Sequence, residues 1–232
     1  MLATLAAASA LLLAPIPPQD AFQLPTVKQC VRGGGTLTVK MRRLEGEAAW
    51  RSATVTINGK RVVRVTDPRP ARAIRVRNLP STKFKLIVDA RTDDGRSATV
   101  SRNYHPCPAG GKPTVTFPAG APPTTLVERD LIKGTGVRIR PGQIMRVHYV
   151  MAAWSTRQVI DSSWARREPF DFEFGSGQVI KGWDEGLKGM RVGGRRELVM
   201  PPRYAYGEDG VPPAIKSDET LVSVVDLIAV KD

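Results

Sequence analysis

The chain has 232 residues, enough for two small domains, and a formal net charge of +13. The charge is lopsided: residues 22–117 hold 19 Lys+Arg against 6 Asp+Glu, and residues 118–232 hold 16 against 15, so a polyanion partner concerns the first half alone. Two cysteines with the distant His105 and His148 do not supply the ligands of a zinc centre.

The first stretch, "MLATLAAASALLLAP", is an apolar run of export-leader length and too short to span a bilayer. It reads as a signal peptide over 1–21, although no basic residue precedes the run and no A-x-A site follows it. An unstructured Ala-rich N-terminus is the alternative. No Cys lies near residue 20, which argues against a lipid anchor. In an exported protein the isolated pair Cys30 and Cys107 is expected to form a disulfide, with two free thiols as the other reading. Such a bridge would join the ends of a basic domain over 28–107.

Within that domain the strands predicted are 36–41, 52–57, 60–65, 72–77, 83–90 and 96–104. Asn58-Gly59 and Asp94-Gly95 close two hairpins. Six short strands without a helical pattern suggest an all-β, immunoglobulin-like sandwich. The basic surface fits an anionic envelope polymer or lipid headgroups; export takes cytosolic nucleic acid out of reach. A merely solvated charged face is the competing reading. Residues 108–122, rich in Pro and Gly, read as a linker with one short strand in "TVTF".

A second domain, 123–232, carries strands at 144–152, 170–174, 196–200 and 220–230. In "FDFEF" Phe170, Phe172 and Phe174 share one face. Ile180, Trp183, Leu187 and Met190 mark one short helix, with Asp184 and Glu185 in its first turn. The result is α+β: an antiparallel sheet against one helix. The preceding "FGSGQVIKGWDEG" places Gly175, Gly177 and Gly182 as a phosphate loop would, but Trp183 stands where that loop needs Lys and then Ser or Thr.

The stretches "GQIMRVHYV", "VIDSSWARREPFDFEFGSGQVIKGWDEGLKGMRVGGRRELVMPPRYAYG" and "TLVSVVDLIAV" resemble the FKBP-type peptidyl-prolyl isomerases over about residues 123–231. The resemblance implies a half-barrel, a curved sheet around one helix, with Trp183 as the floor of an apolar pocket. It implies walls from Tyr149, Phe170, Val179, Ile180, Tyr206 and Ile215. It also implies a backbone N–H donated by Ile180, an acid, Asp161, beside the substrate carbonyl, and a basic partner, Arg166. No metal, nucleotide or other cofactor is implied. Three positions depart from the family pattern: Ile160 and Ser223 stand where rings are usual, and Gln178 replaces a rim acid. Alternation with Leu221, Val225 and Leu227 points Ser223 at the pocket. The loop 208–219 lacks the Pro-Pro pair usual just before the last strand.

The function implied is isomerisation of X–Pro bonds in proline-containing client polypeptides, in the folding of secreted or envelope proteins. Macrolide ligands are expected to bind more weakly than in close relatives. The alternative is a proline-binding module or chaperone with weak catalysis, targeted by the basic domain.

Overall fold

The computed structural model describes residues 14–46, 48–67 and 73–232. Most of the expected leader, residues 1–13, lies outside the described residues, as does Arg72 at the start of the predicted strand 72–77. The chain divides into two compact units. The first takes the described parts of Met1–Leu24, Thr38–Val76 and Lys85–Arg102; the second takes Pro25–Leu37, Arg77–Phe84 and Asn103–Asp232.

The strands centred on the first unit are β1 (Phe22–Gln23), β2 (Leu37–Met41), β3 (Trp50–Ile57), β4 (Lys60–Thr66), β5 (Ala73–Val76), β6 (Phe84–Thr92) and β7 (Ser97–Tyr104). They form a three-stranded sheet, β1-β2-β5, and a four-stranded sheet, β4-β3-β6-β7. Period-two patterning explains both. Val39 and Met41, Ala53, Val55 and Ile57, and Leu86, Val88 and Ala90 are buried while their neighbours face out. Asn58 and Gly59 both take positive φ, 49° and 81°, as a tight primed hairpin turn requires. β1 is a seventh strand that the sequence pattern does not announce. It follows a single helical turn, α1 (Pro18–Ala21). Ile16 and Ala21 are buried there, and the Ile16 N–H donates to Ser97 O. The end of the expected leader is thus part of this unit's packing.

The second unit holds β8 (Val127–Ile132), β9 (Ile144–Ala153), β10 (Val159–Ser162), a turn of helix α2 (Ser163–Arg166), β11 (Phe170–Glu173), α3 (Lys181–Gly186), β12 (Arg195–Met200) and β13 (Leu221–Lys231). The sheet runs β10-β9-β13-β12-β8, and β11 also pairs with β9. β13 is central and buried along nearly its whole length, which is why it reads as one continuous apolar run. β8 escapes the sequence pattern because Glu128, Arg129 and Asp130 occupy it; charges suit an edge strand. α2 is likewise too short to show as a period.

Two other expectations change. "TVTF" forms no strand. It lies extended across the sheet's outer face, where Val115 and Phe117 pack on Trp154, Val199 and Val222, and Phe117 meets Trp154 edge-on at 5.9 Å. Cys30 and Cys107 are joined, as expected, but the bridge sits in the second unit. Cys30 belongs to the core cluster that contains Trp183, its N–H donates to Ile228 O, and the Cys107 N–H donates to Val31 O.

Candidate active site

Helix α3 sets the floor. Gly182 and Gly186 face β12 so closely that a Cβ on Gly182 would lie 2.6 Å from Met200, and one on Gly186 2.6 Å from Leu198. The helix therefore rests on the sheet and buries Trp183, which is 3 % exposed. The indole meets Tyr149 edge-on at 5.0 Å, Phe172 at 5.6 Å and Phe170 at 6.3 Å. The glycine-rich stretch before it holds an anion after all, but an internal one. The N–H groups of Gly175 and Gly177 both donate to the Asp184 carboxylate at 2.9 Å. The first turn of α3 thus fills the cradle that a phosphate would need.

Above Trp183 opens a cavity of about 530 Å³. Tyr149 and Met151 enter from β9, Phe170 from β11, and Val179 and Ile180 from the turn into α3. Ile160 and Asp161 form one side; Tyr206, Ala214 and Ile215 overhang the other, with Gln178 at the edge. The Ile180 carbonyl accepts the Trp183 N–H at 2.9 Å. Among the described residues none accepts the Ile180 N–H, so this donor is open to a bound carbonyl.

One polar corner interrupts the apolar wall. The Tyr149 hydroxyl donates to Asp161, Arg166 donates to the other oxygen of the same carboxylate, and Arg166 also donates to the Tyr149 oxygen at 2.9 Å. Burial pushes the Asp161 carboxyl up, but the bonds from Tyr149, Arg166 and the Ser162 N–H outweigh it and hold the group below the ordinary carboxylate range. Burial and the Asp161 acceptor push the Tyr149 phenol up. The corner is a fixed anion with a neutral phenol, and neither is poised to exchange a proton near neutral pH. Behind it Ser163 accepts the Tyr149 N–H at 2.8 Å and bonds His148, whose ring stacks on Trp164 at 4.4 Å. His148 thus faces away from the cavity, and burial lowers its pKa.

Of the residues expected at the site, Tyr149, Ile160, Asp161, Phe170, Gln178, Val179, Ile180, Trp183, Tyr206 and Ile215 converge here. Arg166 reaches the site through Asp161 and does not line the cavity. Ser223 is the correction. It is fully buried and its hydroxyl has no protein partner, but it does not reach the cavity wall. Its register partner Met151 does. The alternation was right, since Leu221, Val225 and Leu227 sit in the same core, but a serine side chain is too short to span the distance. Met151 and Ala214 were missed; Met151 lies two residues from Tyr149 on the same strand face, a signal that alternation carries. A second groove, of about 1060 Å³, is larger, but it mixes Arg138, Arg140, Lys188, Arg191, Asp184, Glu185 and Asp232 with Val137, Ile139 and Phe174 and gathers none of the residues expected at the site.

The family model for FKBP-type peptidyl-prolyl cis-trans isomerases matches residues 136–228. The chain is 49% identical over 120 residues to an FK506-binding protein of Streptomyces anulatus, covering 51% of this chain and 97% of that one. It is 43% identical over 118 residues to a probable FK506-binding protein of Corynebacterium glutamicum, covering 51% and 98%. The chain belongs to the FKBP family of peptidyl-prolyl isomerases. In an FKBP-type isomerase the task is to rotate a peptide bond whose resonance sets a barrier of about 18–20 kcal/mol. No covalent step is required, only tighter binding of the twisted amide than of either planar isomer. Twisting breaks resonance and reduces charge separation across the amide, so a dry aromatic cavity favours the twisted form relative to the planar ones. The FKBP site here provides that with Trp183, Tyr149 and Phe170, while the Ile180 N–H can fix the carbonyl and so the orientation.

Proposed function

We propose that this FKBP-type isomerase is exported and accelerates X–Pro isomerisation during folding of secreted or envelope proteins, with the basic strands of the first unit as an appended targeting module. The observation that carries the catalytic part is the aromatic cavity over Trp183 with its Tyr149–Asp161–Arg166 corner. Export draws support from the apolar start of the chain and from the Cys30–Cys107 bridge, which suits an oxidising compartment. Because Ile16 and Ala21 are buried, leader removal would fall before Ile16 and not at residue 21. We read the two sheets of the first unit as an immunoglobulin-like sandwich whose cations meet an anionic envelope polymer. The division we propose is a leader, a basic β domain within about 28–107 whose packing also takes in Ile16–Leu24, a connecting stretch to 122 and the isomerase domain over 123–232, against which Pro25–Leu37 and the disulfide pack. Macrolides of the kind named for the Streptomyces anulatus relative would enter the same cavity, held less tightly because Ile160 offers no ring.

A protease-coupled assay on a proline tetrapeptide tests the reading. The full chain should accelerate isomerisation, and Trp183→Ala and Tyr149→Ala should each lose most of that rate with the fold intact by circular dichroism. Wild-type protein that suppresses aggregation of a proline-free client yet does not isomerise the peptide would favour the binding-module alternative. N-terminal sequencing of protein recovered outside the cytoplasm tests export and should find a start at or before Ile16.

A further inference from the structure

The solvent face of the β4-β3-β6-β7 sheet carries an unpaired set of cations. Pairing places Arg64 across from Thr54, Arg61 across from Thr56 and Arg91 across from Ser52, with Lys85 near the start of β6. Asp89 is the only acid of these strands on that face, and Thr99 donates to it at 2.7 Å. Arg61, Arg64, Lys85 and Arg91 are all exposed, and among the described residues none is in an ion pair. Elsewhere Arg96, Arg146, Arg195 and Arg196 are each held by carboxylates.

Two ordinary explanations fall short. Edge strands often carry cations against unwanted pairing, which accounts for Arg61 and Arg64 on β4 but not for Lys85 and Arg91 on β6, an interior strand. Solubility favours mixed signs, and here one acid faces four cations. We propose that this face binds a polyanionic polymer, with phosphate or carboxylate groups repeated along a hydroxyl-bearing chain. Cations two strands apart, such as Arg64 and Arg91, lie about 10 Å from each other across the sheet, and Ser52, Thr54 and Thr56 stand between them to bond chain hydroxyls. No aromatic side chain of these strands stands on the face for base stacking, as single-stranded nucleic acid would use. Val62 is the one large exposed apolar residue in the sheet, too little to anchor a bilayer surface. The inference rests on the anionic-partner part of the proposed function and is independent of the isomerase site.

The test is binding of the full chain to poly(glycerol phosphate) and, separately, to polygalacturonate, with dextran as the neutral control. The two polyanions distinguish a phosphate from a carboxylate source. Four neutralised charges at about 0.7 each in the salt slope weaken affinity about 50-fold between 50 and 200 mM salt. Arg61→Gln with Arg64→Gln and Arg91→Gln should abolish most binding and flatten the slope by about 2. The same charge loss off the face, Lys40→Gln with Arg42→Gln and Arg75→Gln, should leave affinity within about twofold, since long-range charge alone is screened. A thermal melt of each variant reports whether it folded; if the triple variant does not, Arg64→Gln alone should still lower the slope by about 0.7. Absence of binding at 50 mM salt, equal losses in the two triple variants, or binding to anionic vesicles or single-stranded DNA without binding to either polymer would overturn the proposal. Loss of isomerisation in wild type would sink the catalytic reading and leave this one standing.

Discussion

Asp161 is the residue whose chemistry is easiest to misjudge. An acid beside a substrate carbonyl invites an acid–base role, but its partners hold it ionised. A carboxyl whose folded pKa lies below its unfolded one contributes stability that is present above the unfolded value, near 3.8, and is lost only as pH falls through the lower folded value. Nothing in that window touches pH 6–8. Asp161→Asn is therefore expected to lower kcat/KM by about tenfold, the worth of one charge-assisted hydrogen bond, with the rate of wild type and variant alike flat from pH 6 to 8. A steep wild-type profile that vanishes in the variant would establish proton transfer instead. Ile160 and Ser223 call for separate treatment. Ile160 lines the cavity, so Ile160→Phe adds apolar wall and should raise turnover and macrolide affinity together. Ser223 is buried without a partner, so a ring there would overpack the core. Ser223→Ala should instead stabilise the fold by about 1 kcal/mol by removing an unsatisfied hydroxyl. An unchanged or lower melting temperature would mean that water already satisfies the group.

The decisive contact among elements is α3 on β12. Met200 and Leu198 are fully buried and cannot swing aside for a new Cβ, and a Cβ on Gly182 would also lie 3.0 Å from the Tyr204 carbonyl oxygen. Gly182→Ala gains about 1 kcal/mol of helix propensity but should cost about 1–3 kcal/mol in displaced packing. The clash wins or nearly cancels, and Trp183 moves with the helix. Isomerase activity should fall more than stability does, measured as kcat/KM against a urea midpoint. A variant more stable and fully active would show that the close approach is not needed. Most strands were legible because they alternate or, in β12 and β13, are buried almost throughout. α2, β1, β8 and β10 were not: α2, β1 and β10 span two to four residues, too few for a period, and β8 is patterned by charge.

At the scale of the molecule the disulfide matters most. A bridge between residues 77 apart stabilises by about 4 kcal/mol in the chain-entropy model. A bridge confined to the two ends of the basic domain would leave the isomerase untouched by reduction. The bridge packs instead in the core that contains Trp183. Reduction, or Cys30→Ser with Cys107→Ser, should therefore lower the melting temperature of the isomerase unit and its activity at 37 °C; an unaltered melt of that unit would refute the assignment. Ten of the twelve cavity residues were readable beforehand because Trp183, Tyr149, Asp161 and Phe170 stand in ordered motifs, each held by local strand or helix geometry. Met151 and Ala214 needed the cavity itself to be seen. What the sequence by itself determined is the set of faces: which residues point inward, where Gly forces a turn, and that Trp183 replaces a phosphate site. Only the tertiary structure decided how far each side chain reaches, that Asp184 fills the glycine cradle, that Ser223 stops short of the wall and that Cys30 joins the second unit. The periods of helix and strand are local properties of the backbone, whereas reach and neighbourhood are set by how separate segments close on one another.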